Sequence, residues 1–116
     1  MSIQRTLVGP RMSQAVVHNG TVYLAGQVAL DNAGKSVTEQ TNEILGRIDA
    51  LLAATGSDKH KLLSATIYLS DIATFGEMNA VWDGWVDPAN TPARATVEAK
   101  LAAPQFTVEI SIVAAV

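Results

Sequence analysis

Arg94 and Glu109 both fall inside the stretch TPARATVEAKLAAPQFTVEI, residues 91–110, and each charge is out of place there. Arg94 stands among Pro92, Ala93, Ala95 and Thr96, in a run that otherwise reads as a buried strand. A guanidinium stays charged wherever it sits, and it brings five donors that need acceptors. Either its head reaches solvent from an edge strand, or the fold keeps it to hold an anion. Its planar fork can grip a carboxylate with two parallel hydrogen bonds. Glu109 is flanked by Val108 and Ile110. A carboxylate between two β-branched neighbours is partly desolvated, which suits general acid or base work. The plainer alternative is half of a structural ion pair, with Lys100 or with Arg94 itself. A simple hairpin of runs 93–101 and 106–115 about AAPQ would set Glu98 near Glu109, an unfavourable like-charge pair. The two runs are therefore not taken as neighbours.

Three further positions can serve the same chemistry. Thr96 follows Arg94 by two residues, on the same strand face, and its hydroxyl can reach a bound carboxylate; threonine is equally a common strand residue. Gly26, in LAGQV, permits a ligand to approach the main chain closely, or simply ends a strand. Arg11 follows Gly9-Pro10. It can clamp a second acid group, pair with Glu109, or remain a solvated loop residue. His18 and His60 lack metal-ligand spacing, so no metal site is expected. The absence of cysteine excludes disulfides, thiolate catalysis and cysteine-ligated zinc.

The chain of 116 residues has room for one domain, residues 1–116. Its 48% hydrophobic and 16% charged residues are those of an ordinary globular protein. The net charge is −3 and no two Lys or Arg residues are adjacent, so nucleic acid is disfavoured as a partner. The opening MSIQRTLVGPRMSQ lacks the apolar core of a signal peptide, and no apolar run is long enough to span a bilayer. A cytoplasmic protein with no membrane partner is the expectation.

The elements that must position these residues follow from local pattern. SQAVVHNGTVYLAGQV contains two β-type runs joined by Asn19-Gly20, a strong hairpin signal. Ser36 and Glu39 form a capping box, and Ile44, Ile48, Leu51 and Leu52 recur at helical spacing until Gly56. LLSATIYLS alternates as a strand. Ser70 or Asp71 can cap a second helix with the stripe Phe75, Met78, Trp82 and Trp85, read as core. DPANTPA ends it, and strand-like runs 93–101 and 106–115 close the chain. The order is β-β(-β)-α-β-α-β-β, with Ile3–Val8 as a possible first strand. It predicts an α+β domain with one sheet and both helices on one face. Tyr23, Ala25, Thr66, Tyr68, Thr96, Ser111 and Val113 are assigned to the opposite face. That face is too polar for a core and too apolar for free surface, so a homo-oligomer is expected.

With these pieces assembled, the chain resembles the RidA family (YjgF/YER057c/UK114). The matching stretches are GP at 9–10, VYLAGQV at 22–28 and the helix beginning TEQTNEIL. They continue with ATIYLSDIATFGEMNAVW at 65–82, PARATVEA at 92–99 and VEI at 108–110. The short length and the ending VEISIVAAV resemble the small YoaB-like branch. The resemblance implies a chorismate-mutase-like fold, one mixed sheet with two helices on one face, a homotrimer, and ligand clefts between subunits. It also implies hydrolysis of reactive 2-enamino and 2-imino acids to 2-keto acids and ammonia, without a cofactor. On that reading Arg94 binds the substrate carboxylate, Glu109 orders the attacking water, and Gly26 and Thr96 line the site. Asn79 matches the family pattern and is read as a structural hydrogen-bonder. Arg11 departs from the tyrosine that many deaminating members carry after GP. Two rival readings are a binding module for small carboxylates and, ranked last, the endoribonuclease label (L-PSP) that the family carries.

Overall fold

The computed structural model describes residues 2–116. Seven strands and two helices follow in the order β1 (Gln4–Val8), β2 (Ser13–His18), β3 (Thr21–Leu24), β4 (Gln27–Val28), α1 (Val37–Ala54), β5 (Leu62–Leu69), α2 (Phe75–Trp85), β6 (Ala93–Glu98) and β7 (Val108–Ala115). Local chemistry sets most boundaries. Asn19 and Gly20 turn β2 into β3 with φ of 52° and 75°, the positive pair a two-residue hairpin needs. Ser36 Oγ accepts the Glu39 N–H at 3.1 Å, and α1 starts there. Past its end Gly56 takes φ +81°, a conformation costly for any residue with a Cβ. Asp71 caps a single 3₁₀ turn, Ile72–Thr74, that leads into α2. The two closing strands are shorter than their apolar runs.

One sheet carries all seven strands in the order β1-β2-β3-β7-β5-β6, with β4 also paired to β7. Only β5 and β6 run parallel, because α2 makes the crossover between them. β6 lies at the edge beside β5, and β7 sits centrally between β3 and β5. Glu98 and Glu109 are thus kept apart by β5. The alternation of β7 is clean: Val108, Ile110, Ile112 and Ala114 are fully buried and the residues between them are not.

Both helices cover the face that carries this buried set. α1 buries Ile44, Leu45, Ile48, Leu51 and Leu52, and α2 buries Met78 and Trp82. Glu77 ties α2 to the start of α1 through the Thr38 N–H and hydroxyl, both at 2.9 Å. The molecule is a slab 20 Å thick, two layers and no more. The other sheet face, with Tyr23, Thr66, Tyr68, Glu109, Ser111 and Val113, has no cover within the chain, and Tyr23 is 49% exposed there. Thr96 does not belong to that face. It pairs with the core residue Ile67 and so points toward the helices. Alternation along β6 places Thr96 with Arg94, but only the pairing to β5 says which face both occupy. Among the described residues no helix is long and apolar enough to cross a membrane.

Candidate functional site

The edge strand β6 presents Arg94 to the helix layer. Its pairing partner is the buried Ala65, and its guanidinium carbon lies 5.3 Å from the Trp82 ring centre and 5.8 Å from that of Phe75. The residue is half-buried, and none of the ion pairs among the described residues includes it. Arg94 therefore stands on an edge strand without sending its head freely into solvent. Asn79 lies on the same helix face, one turn after Phe75 and just short of Trp82. Its Oδ1 is buried without a hydrogen-bond partner, and so is Thr96 Oγ1. Each such atom costs on the order of 1–3 kcal/mol. On the helix-facing side of β6, the unpaired guanidinium is thus accompanied by a carbonyl acceptor and a hydroxyl that lack partners. That set suits a small molecule bearing a carboxylate and an N–H.

Glu109 belongs to the opposite face. It alternates with the buried Val108 and Ile110 and sits in register with Tyr68 on one side and Val28 on the other. No ion pair among the described residues includes it, so neither Lys100 nor Arg94 neutralises it. Gly26 is its immediate neighbour. A Cβ built at Gly26 would overlap the Glu109 carboxylate, so the missing side chain is what makes room for that group. The backbone here leaves ideal register: Leu24, Ala25 and Gly26 together oppose only Ser111 and Ile112, a β-bulge between β3 and β4. Gln27 anchors the bulge by donating to Gln14 Oε1 at 2.9 Å and to the Ala25 carbonyl at 3.0 Å.

Arg11 stands at the tip of the β1–β2 hairpin, where the Gly9 N–H donates to the Met12 carbonyl at 2.8 Å. The Ala25 N–H donates to the Gln14 carbonyl, which places this tip at the same end of the sheet as Gly26. Arg11 is exposed and pairs with no carboxylate among the described residues.

The five residues singled out in the sequence therefore form two groups. Arg94 and Thr96 face the helices, with Asn79, Phe75 and Trp82 beside them. Gly26 and Glu109 lie on the uncovered face, with Arg11 at that end of the sheet. The sheet itself stands between Arg94 and Glu109, so one small ligand cannot touch both within one chain. Asn79 has no structural bond through Oδ1, contrary to the sequence reading. Phe75 and Trp82 are more than helix core. Their spacing with Asn79 put all three on one face, but nothing local said that this face meets Arg94. His60 pairs with Asp87 at 2.8 Å, and His18 lies near the Ser2 carbonyl.

Comparison with known proteins agrees with this architecture over its full length. The family model described as endoribonuclease L-PSP matches residues 4–116. A RutC family protein of Haemophilus influenzae is 48% identical over 114 residues, covering 98% of each chain. The RutC family protein YoaB of Escherichia coli is 44% identical over 116 residues, covering 100% of each. The crystal structure of a YjgF-family protein from Neisseria meningitidis superposes with a TM-score of 0.95 at 47% identity, covering 99% of this chain and 95% of the other. An α+β chain with one mixed sheet, helices on one face and this run of matches belongs to the RidA family (YjgF/YER057c/UK114), on its YoaB-like branch.

Proposed function

We propose that the protein hydrolyses small 2-enamino and 2-imino acids to 2-keto acids and ammonia, in clefts formed between the chains of a homotrimer. The observation that carries the reading is the half-buried Arg94, in no ion pair among the described residues, with partnerless polar atoms of Asn79 and Thr96 on the same side of the sheet. The separation of Arg94 and Glu109 onto opposite sheet faces supports the trimer. A cleft that uses both must take Arg94 from one chain and Glu109 from the next, across the uncovered face. Closed rings of this kind use the same head-to-tail contact at every interface.

In the reaction, Arg94 fixes the substrate carboxylate and so aims the C=N bond, a large part of the rate gain available from positioning. Glu109 takes a proton from water as the water oxygen bonds to the imine carbon. That proton goes to the nitrogen to give the carbinolamine; its hydroxyl proton then passes to the nitrogen as well, the C–N bond breaks to release ammonia, and the C–O bond becomes the keto group. An enamine must first gain a proton on its β-carbon. The imine is already electrophilic, so the chemistry needs no cofactor.

The testing assay generates 2-imino acids with an amino-acid oxidase and traps what survives with semicarbazide. Wild-type protein should deplete the trapped product, and Arg94→Ala should restore it. A second reading, a trimeric binding module for small carboxylates, is favoured by Arg11, an exposed cation at the Glu109 end of the sheet that enters no ion pair among the described residues. No depletion with small, branched or acidic imino acids would overturn the enzyme and leave the module. The endoribonuclease description is not adopted: His18 and His60 stand apart and the net charge is −3.

A further inference from the structure

We infer that Trp82 and Phe75 are positioning residues for Arg94, their ring faces bracing the guanidinium where an interior arginine usually has a carboxylate. The inference rests on the reading of Arg94 as the carboxylate-holding group. Both rings lie within the range of about 6 Å over which a ring face attracts a cation, at 5.3 Å for Trp82 and 5.8 Å for Phe75. They stand two turns of α2 apart and bracket the guanidinium from one side.

The brace is itself held. Trp82 is 5% exposed, and Trp85 packs on it with ring centres 5.3 Å apart. The Trp85 indole N–H donates to Asp49 of α1 at 3.0 Å, which ties the aromatic cluster to the other helix. Phe75 is 41% exposed and closes the rim. A carboxylate in this role would neutralise Arg94 and occupy the donors a ligand needs. A ring attracts the cation through its face and leaves the donor edge free. The result is an arginine held in place with its charge unspent.

The experiment uses the full chain with ¹⁵N-labelled arginine. The Arg94 Nε–H signal should be shifted by the aromatic ring current and should relax as a rigid group. Trp82→Leu should abolish both properties, Trp82→Phe should keep them, and Phe75→Leu should weaken them. Phe75→Leu alters only the rim, so it carries the test if Trp82→Leu does not fold. Pyruvate, as the carboxylate probe, should bind roughly 2- to 30-fold more weakly for each ring face lost. Pyruvamide, which lacks the carboxylate, should show no such change. An Arg94 signal equally rigid in wild type, Trp82→Leu and Phe75→Leu would overturn the inference. Equal losses of pyruvate and pyruvamide affinity would overturn it too, by marking a merely structural effect. Failure of wild type to bind pyruvate would sink the carboxylate reading, while the Nε–H signal would still decide the brace.

Discussion

At the scale of single residues, the close approach of Gly26 to Glu109 gives the sharpest expectation. Gly26→Ala drives a methyl into the Glu109 carboxylate and must displace it, while the bulge anchored by Gln14 and Gln27 keeps its bonds. Activity should fall with Gly26→Ala much as with Glu109→Gln, on the order of 10²-fold in turnover if Glu109 moves the proton. A steady-state comparison of the two variants, each with its melting temperature, checks this. Turnover unaffected by Gly26→Ala would free Glu109 of any demand for that position. Arg94 and Glu109 were legible in the sequence because a charge inside an apolar strand is anomalous wherever it lands. Asn79, Phe75 and Trp82 were not. An asparagine on a helix looks the same whether it faces solvent or a guanidinium, and only the long-range pairing of β5 with β6 places Arg94 under that helix face.

At the scale of elements, buried Gln40 of α1 does work no pattern announced. Its amide donates to the carbonyls of Lys35 at 3.0 Å and Gln105 at 2.9 Å, and its Oε1 accepts the Thr107 N–H at 2.9 Å. It thereby pins the β6–β7 loop that leads into Glu109. Gln40→Leu should destabilise the fold by roughly 2–4 kcal/mol, since backbone groups are left buried and unpaired. Urea unfolding measures the loss. Glu43, further along α1, predicts a pH dependence. Burial alone would raise its pKa, but hydrogen bonds from Arg47, from the Asp31 and Asn32 N–H groups and from the Asn32 amide outweigh burial and hold it below the ordinary 4.5. A carboxylate lowered by folding adds stability above its unfolded pKa and loses it as pH falls through the folded one. Unfolding free energy should therefore drop as pH falls below 4.5, and Glu43→Gln should flatten that limb. The hairpin, the capping box and the Gly56 stop were readable because each is settled within a few residues. Thr96 was assigned to the wrong face because alternation fixes which residues share a side, not which side that is.

At the scale of the molecule, the decisive feature is that the two halves of the proposed site are carried on opposite faces of one sheet. Arg94→Ala and Glu109→Gln proteins should each keep only about a hundredth of wild-type turnover alone. Unfolded together and reassembled in equal amounts, they should recover about a quarter of wild-type activity, because each cleft draws its halves at random from two chains. Light scattering should give three times the 12.2 kDa chain. A species of one chain mass, or no recovery on mixing, would refute the interfacial site. That one sheet face would lack cover within the chain was foreseeable from the half-polar strand pattern. How many copies would cover it was not, since composition marks such a face without saying at what angle a partner would meet it.

This arrangement also has a genetic reading. In the proposed trimer, a chain that lacks only Arg94 would spoil one cleft of a mixed assembly, whereas a chain lacking both Arg94 and Glu109 would spoil two. Expressed at equal dosage with the normal allele, the first should leave about half the clefts working and the second about a quarter. The same two lesions would therefore be far more dominant joined on one allele than either is alone.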